Sequence, residues 1–391
     1  MLIEVDAQLF LDKEATGIAI YAGNMIRELW KCGHQIQYDI FEAKKIEQEV
    51  TNLKNSEHIE YSEMKKNIRI CNKYSHRVYQ WLSMFFPLRY SRLFGEDADV
   101  AIFFNYIVPP GVKAWKIAVI HDMSYLDCPK VVRWRTLFHL KYAMAASCRR
   151  ADLILTVSEF SKRRIMKCLE VKEEKIEVVP CGIDFSCFCR KYAWKEIKQI
   201  KKKFGICGEY YLYVGTLEPR KNVERLFLAY GMLKKEMAVL PKLVLAGRNG
   251  WMYQRMFRLI KKLKLKDDII FTGYVSEREK IILMQGTKVF VYPSLYEGFG
   301  MPVLEAMACG VPVLTSNCAS MPEVIKDAGM LVEPYSVQSI KDGLMELEMN
   351  EHRRKRLAEK GYQRSKKFSW EASGRKLNEI LLRNFETKER L

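Results

Sequence analysis

The sequence predicts an α/β protein built from two parallel-sheet domains, and three observations predict it. The chain has 391 residues, 49% of them hydrophobic, which is more than one core of ordinary size accommodates. Short apolar, β-branched segments alternate with longer segments of helical period, as in parallel sheets joined by crossover helices. That alternation stops once, over residues 185–204, where lysine takes over, and a second series then begins.

In the first series, residues 1–5 read as a short strand and 18–30 carry helical periodicity. Residues 100–104 and 117–120 are short apolar strands, and 132–148 form a long basic and apolar helix. Residues 153–157 are a strand, followed by a helix that Ser158 can cap through its hydroxyl. A last strand, 176–179, ends in Pro180-Cys181-Gly182-Ile183-Asp184. The second series opens at 210–215 with a helix over 223–232, and continues through strands at 243–246, 269–271 and 288–293. A closing helix is predicted around 370–385. The expected division is a domain over 1–188, a linker over 189–205, a second domain over 206–368 and a terminal segment over 369–391.

A formal net charge of +18 points to anionic partners: phosphorylated substrates, nucleic acid or a membrane surface. No apolar run reaches about 18 residues, so no membrane-crossing helix is expected. The first residues lack a basic-then-apolar leader. The eleven cysteines show no metal-ligand spacing. Cys187 and Cys189 make only a C-x-C. Reduced thiols, a cytoplasmic location and no structural zinc are the expectation. The basic residues are spread over both halves without a zinc-finger or RNA-recognition motif, which argues against nucleic acid. Neither G-x-G-x-x-G nor G-x-x-x-x-G-K-[ST] occurs, which removes dinucleotide oxidoreductases and P-loop enzymes.

The most informative stretch is Tyr296-Glu297-Gly298-Phe299-Gly300-Met301-Pro302-Val303-Leu304-Glu305. The strand at 288–293 ends in Pro293. Pro302 suits a first helical turn, and Gly310 the position past a helix end. Glu297 therefore lies in a loop at the carboxyl end of a strand, where open α/β sheets place ligands. Glu305 lies about one turn into the helix. Gly298 and Gly300 allow close backbone approach, and helix-start amides suit a phosphate. Residues alone leave open a solvated loop acid and a first-turn Glu complementing the helix dipole.

The whole string, with its tail Ala306-Met307-Ala308-Cys309-Gly310-Val311-Pro312-Val313, resembles the E-x(7)-E signature of retaining glycosyltransferases of the GT-B type, specifically glycosyltransferase family 4. The resemblance implies two Rossmann-like parallel-sheet domains facing a central cleft. It implies that Glu297 contacts the donor sugar and Glu305 the nucleotide ribose. Gly215-Thr216-Leu217-Glu218-Pro219-Arg220-Lys221-Asn222 is similar to the family's G-x-x-x-x-R-K-N turn. Arg220 and Lys221 thereby become pyrophosphate ligands, Arg gripping oxygens bidentately and Lys supplying a point charge. Gly17-Ile18-Ala19-Ile20-Tyr21 resembles the family's G-I-G-R-Y loop near the donor phosphates. Ala19 and Ile20 depart from it, which removes a cation and leaves Gly17 as the matching position.

His121-Asp122 follows the strand at 117–120 and resembles the family's H-D pair, with the His near the donor sugar. Ser158-Glu159-Phe160-Ser161 resembles an S-E-x-S turn and equally reads as a helix cap. Gly247 and the Gly273-Tyr274-Val275 turn match positions around the nucleotide. By the same resemblance Gly215, Gly298, Phe299, Gly300 and Met301 line the donor site. Asp97-Ala98-Asp99 is a D-x-D, but it precedes the strand at 100–104, at the edge opposite a ligand site. No metal and no other cofactor are therefore expected.

The resulting expectation is a retaining hexosyltransferase with mannose favoured, moving sugar from a nucleotide diphosphate donor to a lipid-linked cell-surface glycan. The Gly215–Asn222 turn leans towards members using GDP-mannose, with UDP-glucose and UDP-N-acetylglucosamine open. An epimerase or phosphorylase of the same shape is the alternative. A basic nucleic-acid binder is the remote one. Residues 73–94 interleave Arg77, Arg89 and Arg92 with Tyr79, Trp81, Phe86 and Tyr90. They read either as core or as contact with an anionic membrane at the inner face of the plasma membrane, and Pro87 interrupts any continuous helix there.

Overall fold

The computed structural model describes all residues except 12–15, 42–66, 87, 133, 238, 251–252 and 390–391. It divides into two compact units. The first holds Met1–Asp127, Arg133–Gly182 and Trp370–Leu391, the second Cys128–Val132 and Ile183–Ser369.

The first unit is built on a seven-stranded parallel sheet. Its strands are β1 (Leu2–Asp6), β2 (Gln35–Phe41), β3 (Ile68–Cys71), β4 (Val100–Phe103), β5 (Trp115–Val119), β6 (Leu153–Thr156) and β7 (Ile176–Val178). They lie in the order β3-β2-β1-β4-β5-β6-β7. Every residue of β4 and β6 is buried, as expected of strands covered on both faces. Five of these strands stand where the sequence puts them; β2 and β3 are additional. Buried polar groups hide them. Asp39 in β2 is fully buried and accepts from Arg69 Nε of β3 at 2.9 Å and from Tyr90 Oη at 2.9 Å. Arg69 Nη2 also donates to Glu4 of β1 at 2.7 Å. Burial lifts the Asp39 carboxyl to about 7 even though Arg69 pulls it down.

The helix Trp370–Glu389 belongs to this first unit and packs on the helix Gly17–Lys31. The two approach so closely that a Cβ on Gly374 would stand 2.2 Å from Glu28 Cβ. Trp370 meets Tyr21 edge-on at 6.0 Å, and His34 Nε2 bonds Asn378 Oδ1 at 2.6 Å. In the stretch 73–94, Tyr79, Tyr90 and Phe94 are core, whereas Trp81 and Phe86 are exposed. The helix His76–Phe85 occupies its first half, and Pro87 lies outside the described residues.

The second unit carries a six-stranded parallel sheet in the order β10-β9-β8-β11-β12-β13. Its strands are β8 (Tyr210–Val214), β9 (Lys242–Ala246), β10 (Ile269–Gly273), β11 (Val289–Tyr292), β12 (Val313–Ser316) and β13 (Met330–Val332). The short apolar run Val311-Pro312-Val313-Leu314 leads into β12. β13 carries too weak a pattern to read in advance: it has three residues, and Leu331 at its centre faces out. Residues 189–205, read above as a linker, contain the helix Trp194–Lys203, which docks on Glu277–Gly286 within this unit. The strand order reverses between β8 and β11. Their carboxyl ends therefore lie side by side, and the loops that follow them must meet.

Candidate functional site

Those two loops build the site. After β8, Gly215 at φ 149° leads into a tight turn, Pro219–Lys221. Asn222 then takes the left-handed conformation at φ 61°. Its Nδ2 donates to the carbonyls of Pro293 at 2.9 Å and Pro334 at 2.7 Å, tying together three strand-end loops. The Leu295 amide donates to the Arg220 carbonyl at 2.9 Å. The β8 turn is thereby locked to the loop after β11.

The lock puts three charges in contact. Lys221 Nζ donates to Glu297 Oε1 at 2.8 Å, and Arg220 Nη1 to Glu297 Oε2 at 3.1 Å. Lys221 also donates to Tyr292 Oη at 2.6 Å and stands 5.1 Å over that ring. Arg220 reaches the Tyr296 carbonyl at 2.9 Å and Glu218 at 3.0 Å. Ser320 Oγ holds the Glu297 carbonyl at 3.0 Å. Burial alone would raise the Glu297 carboxyl, but Lys221 and Arg220 outweigh it and hold the group at about 2. Burial lowers the Lys221 ammonium, with Glu297 opposing that and Arg220 adding to it. The carboxylate, with two cations against it, stays ionised, and Glu218 on the arginine balances the second cation. Such a cluster can accept sugar hydroxyls on the carboxylate and offer cationic donors to phosphate oxygens.

Glu305 lies nearby in sequence but has its own partner. It sits in the helix Met301–Ala308, opened by Gly300 at φ 95° with Pro302 in the first turn. Lys280 Nζ donates to Glu305 Oε1 at 2.8 Å. Burial pulls the Lys280 ammonium down, but Glu305 and Glu277 more than restore it. The start of this helix offers a ligand few amides. Pro302 has none, and the Val303 and Leu304 amides donate to the Gly300 carbonyl at 3.0 and 3.4 Å. Gly298, Phe299 and Gly300 are buried, and Met301 is half-buried. Phe299 meets Phe368 edge-on at 5.7 Å.

Three glycines meet at the carboxyl ends of the strands. A Cβ on Gly247 (φ 145°) would stand 2.2 Å from the Gly215 carbonyl oxygen. Gly247 N also donates to the Gly273 carbonyl at 2.8 Å. Gly215, Gly247 and Gly273 are thus where the chain ends of β8, β9 and β10 pass in contact. Beyond them Tyr274 is 60% exposed and Val275 is buried.

His121 and Gly17 belong to the first unit. His121 is buried at the carboxyl end of β5, its Nε2 2.9 Å from the Phe104 carbonyl. A carbonyl only accepts, so Nε2 carries the proton and Nδ1 a lone pair. Burial lowers its pKa, favouring the neutral ring that Tyr21 and Tyr106 meet edge-on at 5.4 and 5.7 Å. Ser158 caps its helix by accepting from the Ser161 amide at 3.1 Å, and Ser161 Oγ donates to the His121 carbonyl at 3.2 Å. The 158–161 turn is thus both cap and support for the histidine loop. Asp122 accepts from the Ser124 amide at 2.9 Å, ordering the same loop. A Cβ on Gly17 would meet nothing within 4 Å, so packing does not require glycine there.

Asp97 accepts from Arg69 Nη1 at 3.0 Å, and Asp99 Oδ2 from the Leu2 amide at 2.8 Å. Both acids of the D-x-D have protein partners. Among the described residues no three His, Cys, Asp or Glu gather as a ligand set. Sequence reasoning missed Tyr292, Lys280 and Asn222 as parts of the site. It also missed Ser294, whose side chain is buried in the loop after β11. Asn222 alone had a readable signal, as an Asn before a helix tolerates a left-handed backbone.

Residues 15–186 match the family described as Glycosyltransferase Family 4, and residues 196–364 that described as Glycosyl transferases group 1. O-antigen chain mannosyltransferase B of Escherichia coli is 34% identical over 268 residues, 68% of this chain and 70% of that protein. The serotype-specific mannosyltransferase WbdA of Escherichia coli is 30% identical over 273 residues, 67% of this chain and 33% of that protein. The crystal structure of Anabaena HepE in complex with UDP and glucose has the same fold, with a TM-score of 0.72 at 16% identity, covering 97% of this chain and 98% of that one. With two Rossmann-like parallel sheets, a family match on each half and a relative followed over two thirds of its length, the chain belongs to the GT-B glycosyltransferases, a Glycosyltransferase Family 4 domain joined to a group 1 glycosyl transferase domain.

Proposed function

We propose that the protein is a retaining, metal-independent mannosyltransferase that moves mannose from a nucleotide diphosphate donor to a lipid-linked surface glycan. The observation that carries the reading is the Arg220–Lys221–Glu297 cluster at the strand-order reversal of the second sheet. Departure of a nucleoside diphosphate concentrates negative charge on phosphate oxygens. Arg220 and Lys221 are fixed donors for that charge, so no metal is needed to neutralise it. The anomeric carbon becomes oxocarbenium-like, and ionised Glu297 orients the sugar hydroxyls beside it. Glu305 takes the ribose hydroxyls, with Lys280 holding its carboxylate in place. Within the first unit, neutral His121 keeps an Nδ1 lone pair that can accept from a sugar hydroxyl. Retention follows from attack on the face the diphosphate leaves, that phosphate accepting the acceptor's proton, so no protein nucleophile is required.

The mannose assignment is supported by the relatives named as O-antigen chain mannosyltransferase and serotype-specific mannosyltransferase. Peripheral contact with an anionic membrane belongs to the same reading, because a lipid-linked acceptor resides there. The test is release of nucleoside diphosphate by purified protein from GDP-mannose, UDP-glucose and UDP-N-acetylglucosamine, with and without acceptor glycan and with chelator. Acceptor-dependent release from GDP-mannose, unchanged by chelator, with an α-linked product by NMR, is the expected result. Conversion of donor without any acceptor would replace the reading by an epimerase. Strict dependence on added Mg²⁺ or Mn²⁺ would end the metal-independent one.

A further inference from the structure

The helix Trp134–Arg150 of the first unit carries a surface that the donor site does not use. Trp134, Phe138 and Tyr142 recur every fourth position and are 72%, 53% and 67% exposed. Phe138 and Tyr142 touch, their ring centroids 4.5 Å apart, and Arg135 lies 5.3 Å over Trp134. Single exposed apolar residues are ordinary, but a contiguous aromatic line marks a contact surface. Exposed Arg135, Lys141 and Arg149 fall on the same side. At 3.6 residues per turn all six side chains occupy roughly a third of the helix circumference. The helix contains no Asp or Glu.

The opposite side is anchored. Ala143, Met144, Ser147 and Cys148 are buried. Ser147 Oγ accepts from the Val108 amide at 2.8 Å and donates to the Tyr106 carbonyl at 2.9 Å. Arg150 Nε donates to the Val108 carbonyl at 2.8 Å, and Lys175 Nζ to the Cys148 carbonyl at 2.8 Å. The helix therefore cannot roll to hide its aromatics.

We propose that the Trp134–Phe138–Tyr142 face, with Arg135, Lys141 and Arg149 beside it, docks flat on an anionic lipid surface. Trp and Tyr pair an apolar body with a polar tip and suit the headgroup level. Cations without carboxylates match an anionic leaflet, and the chain's net charge of +18 has the same sign. No described helix is long and apolar enough to cross a membrane, so the contact is one of lying on the interface. The inference rests on the lipid-linked acceptor reading only for its purpose, because it commits this helix, rather than the stretch 73–94, to the contact.

Flotation with glycan-free vesicles tests it separately from transfer. Wild-type protein is expected to float with vesicles of phosphatidylcholine and phosphatidylglycerol in equal parts, weakly with phosphatidylcholine alone, and to be released by salt. The triple variant Trp134→Ser, Phe138→Ser, Tyr142→Ser should bind anionic vesicles at least tenfold more weakly. Arg135→Gln, Lys141→Gln and Arg149→Gln should each weaken binding about fivefold. Thermal midpoints equal to wild type would establish that these surface variants fold. Absence of flotation on anionic vesicles, or an aromatic triple variant that floats like wild type, would overturn the proposal. So would intact flotation by that variant with a raised KM for a water-soluble acceptor, which would make the stripe a platform for stacking sugars.

Discussion

Glu297 is the residue on which the site turns, because its two carboxylate oxygens contact both cations. Replacing it by Gln keeps the shape and removes the charge, leaving buried Lys221 without its 2.8 Å carboxylate partner while Arg220 keeps Glu218. Breaking a buried pair in this way costs about 3–5 kcal/mol. Glu297→Gln should therefore lower the thermal midpoint, and kcat should fall roughly 10²–10³-fold. Normal transfer by a folded Glu297→Gln protein would remove the residue from the mechanism. The sign of the pH effect follows from its depressed pKa of about 2. Stability from this carboxylate is complete above the unfolded carboxyl range, about 4.3, and is lost as pH falls towards 2. Acid-denaturation curves should accordingly be flatter for Glu297→Gln than for wild type below about pH 4.5. Lys280 offers a second test. Lys280→Met leaves the buried Glu305 carboxylate without its 2.8 Å partner. Donor KM should rise roughly tenfold with kcat less affected, and Lys280→Arg should recover most of it. An unchanged KM would separate Glu305 from the donor.

At the scale of elements, the glycines discriminate between packing and ligand approach. Gly247→Ala sets a Cβ 2.2 Å from a backbone oxygen of the neighbouring strand end, which has no rotamer to yield. Gly300→Ala meets the flexible tip of Met321, whose Cε lies 2.2 Å away, and retains mainly the cost of a left-handed alanine, about 1–2 kcal/mol. Gly247→Ala is expected to lower the thermal midpoint more than Gly300→Ala in the same scan. Gly17→Ala behaves differently. It has open space, opens a helix capped by Thr16, and gains helix propensity. Its midpoint should hold or rise. A higher donor KM in that stable variant would mean that the backbone at 17 closes on the ligand, and an unchanged KM that it does not.

For the molecule as a whole, the chain leaves the first unit at Gly182 and returns to it at Trp370. The returning helix buries Trp370, Leu377, Ile380 and Leu381, so its removal exposes an apolar face worth about 25 cal/mol per Å². Truncation after Ser369 is expected to destabilise the first unit and cause aggregation, read as early unfolding in a melt. A truncated protein melting like the full chain would deny the helix that role. The same melt reads the donor: GDP-mannose at about a hundred times its Kd should add roughly 2.7 kcal/mol of stability, and the other nucleotide sugars less.

The two parallel-sheet halves, most of their strands, and the acids, cations and glycines of the strand-end loops are legible in residue order alone. Hydrophobic period and turn chemistry are local properties, so these are written within a few residues of where they act. Which charges meet depends on how the segments pack in three dimensions. Glu297 pairs with Arg220 and Lys221, and Glu305 with Lys280, across separations set by the reversal of strand order between β8 and β11. The same holds for β2 and β3, whose Asp39 and Arg69 look like surface residues until the sheet buries them against each other. Strand order and burial arise from contacts between segments far apart in the chain, and no local pattern encodes the partner of a buried charge.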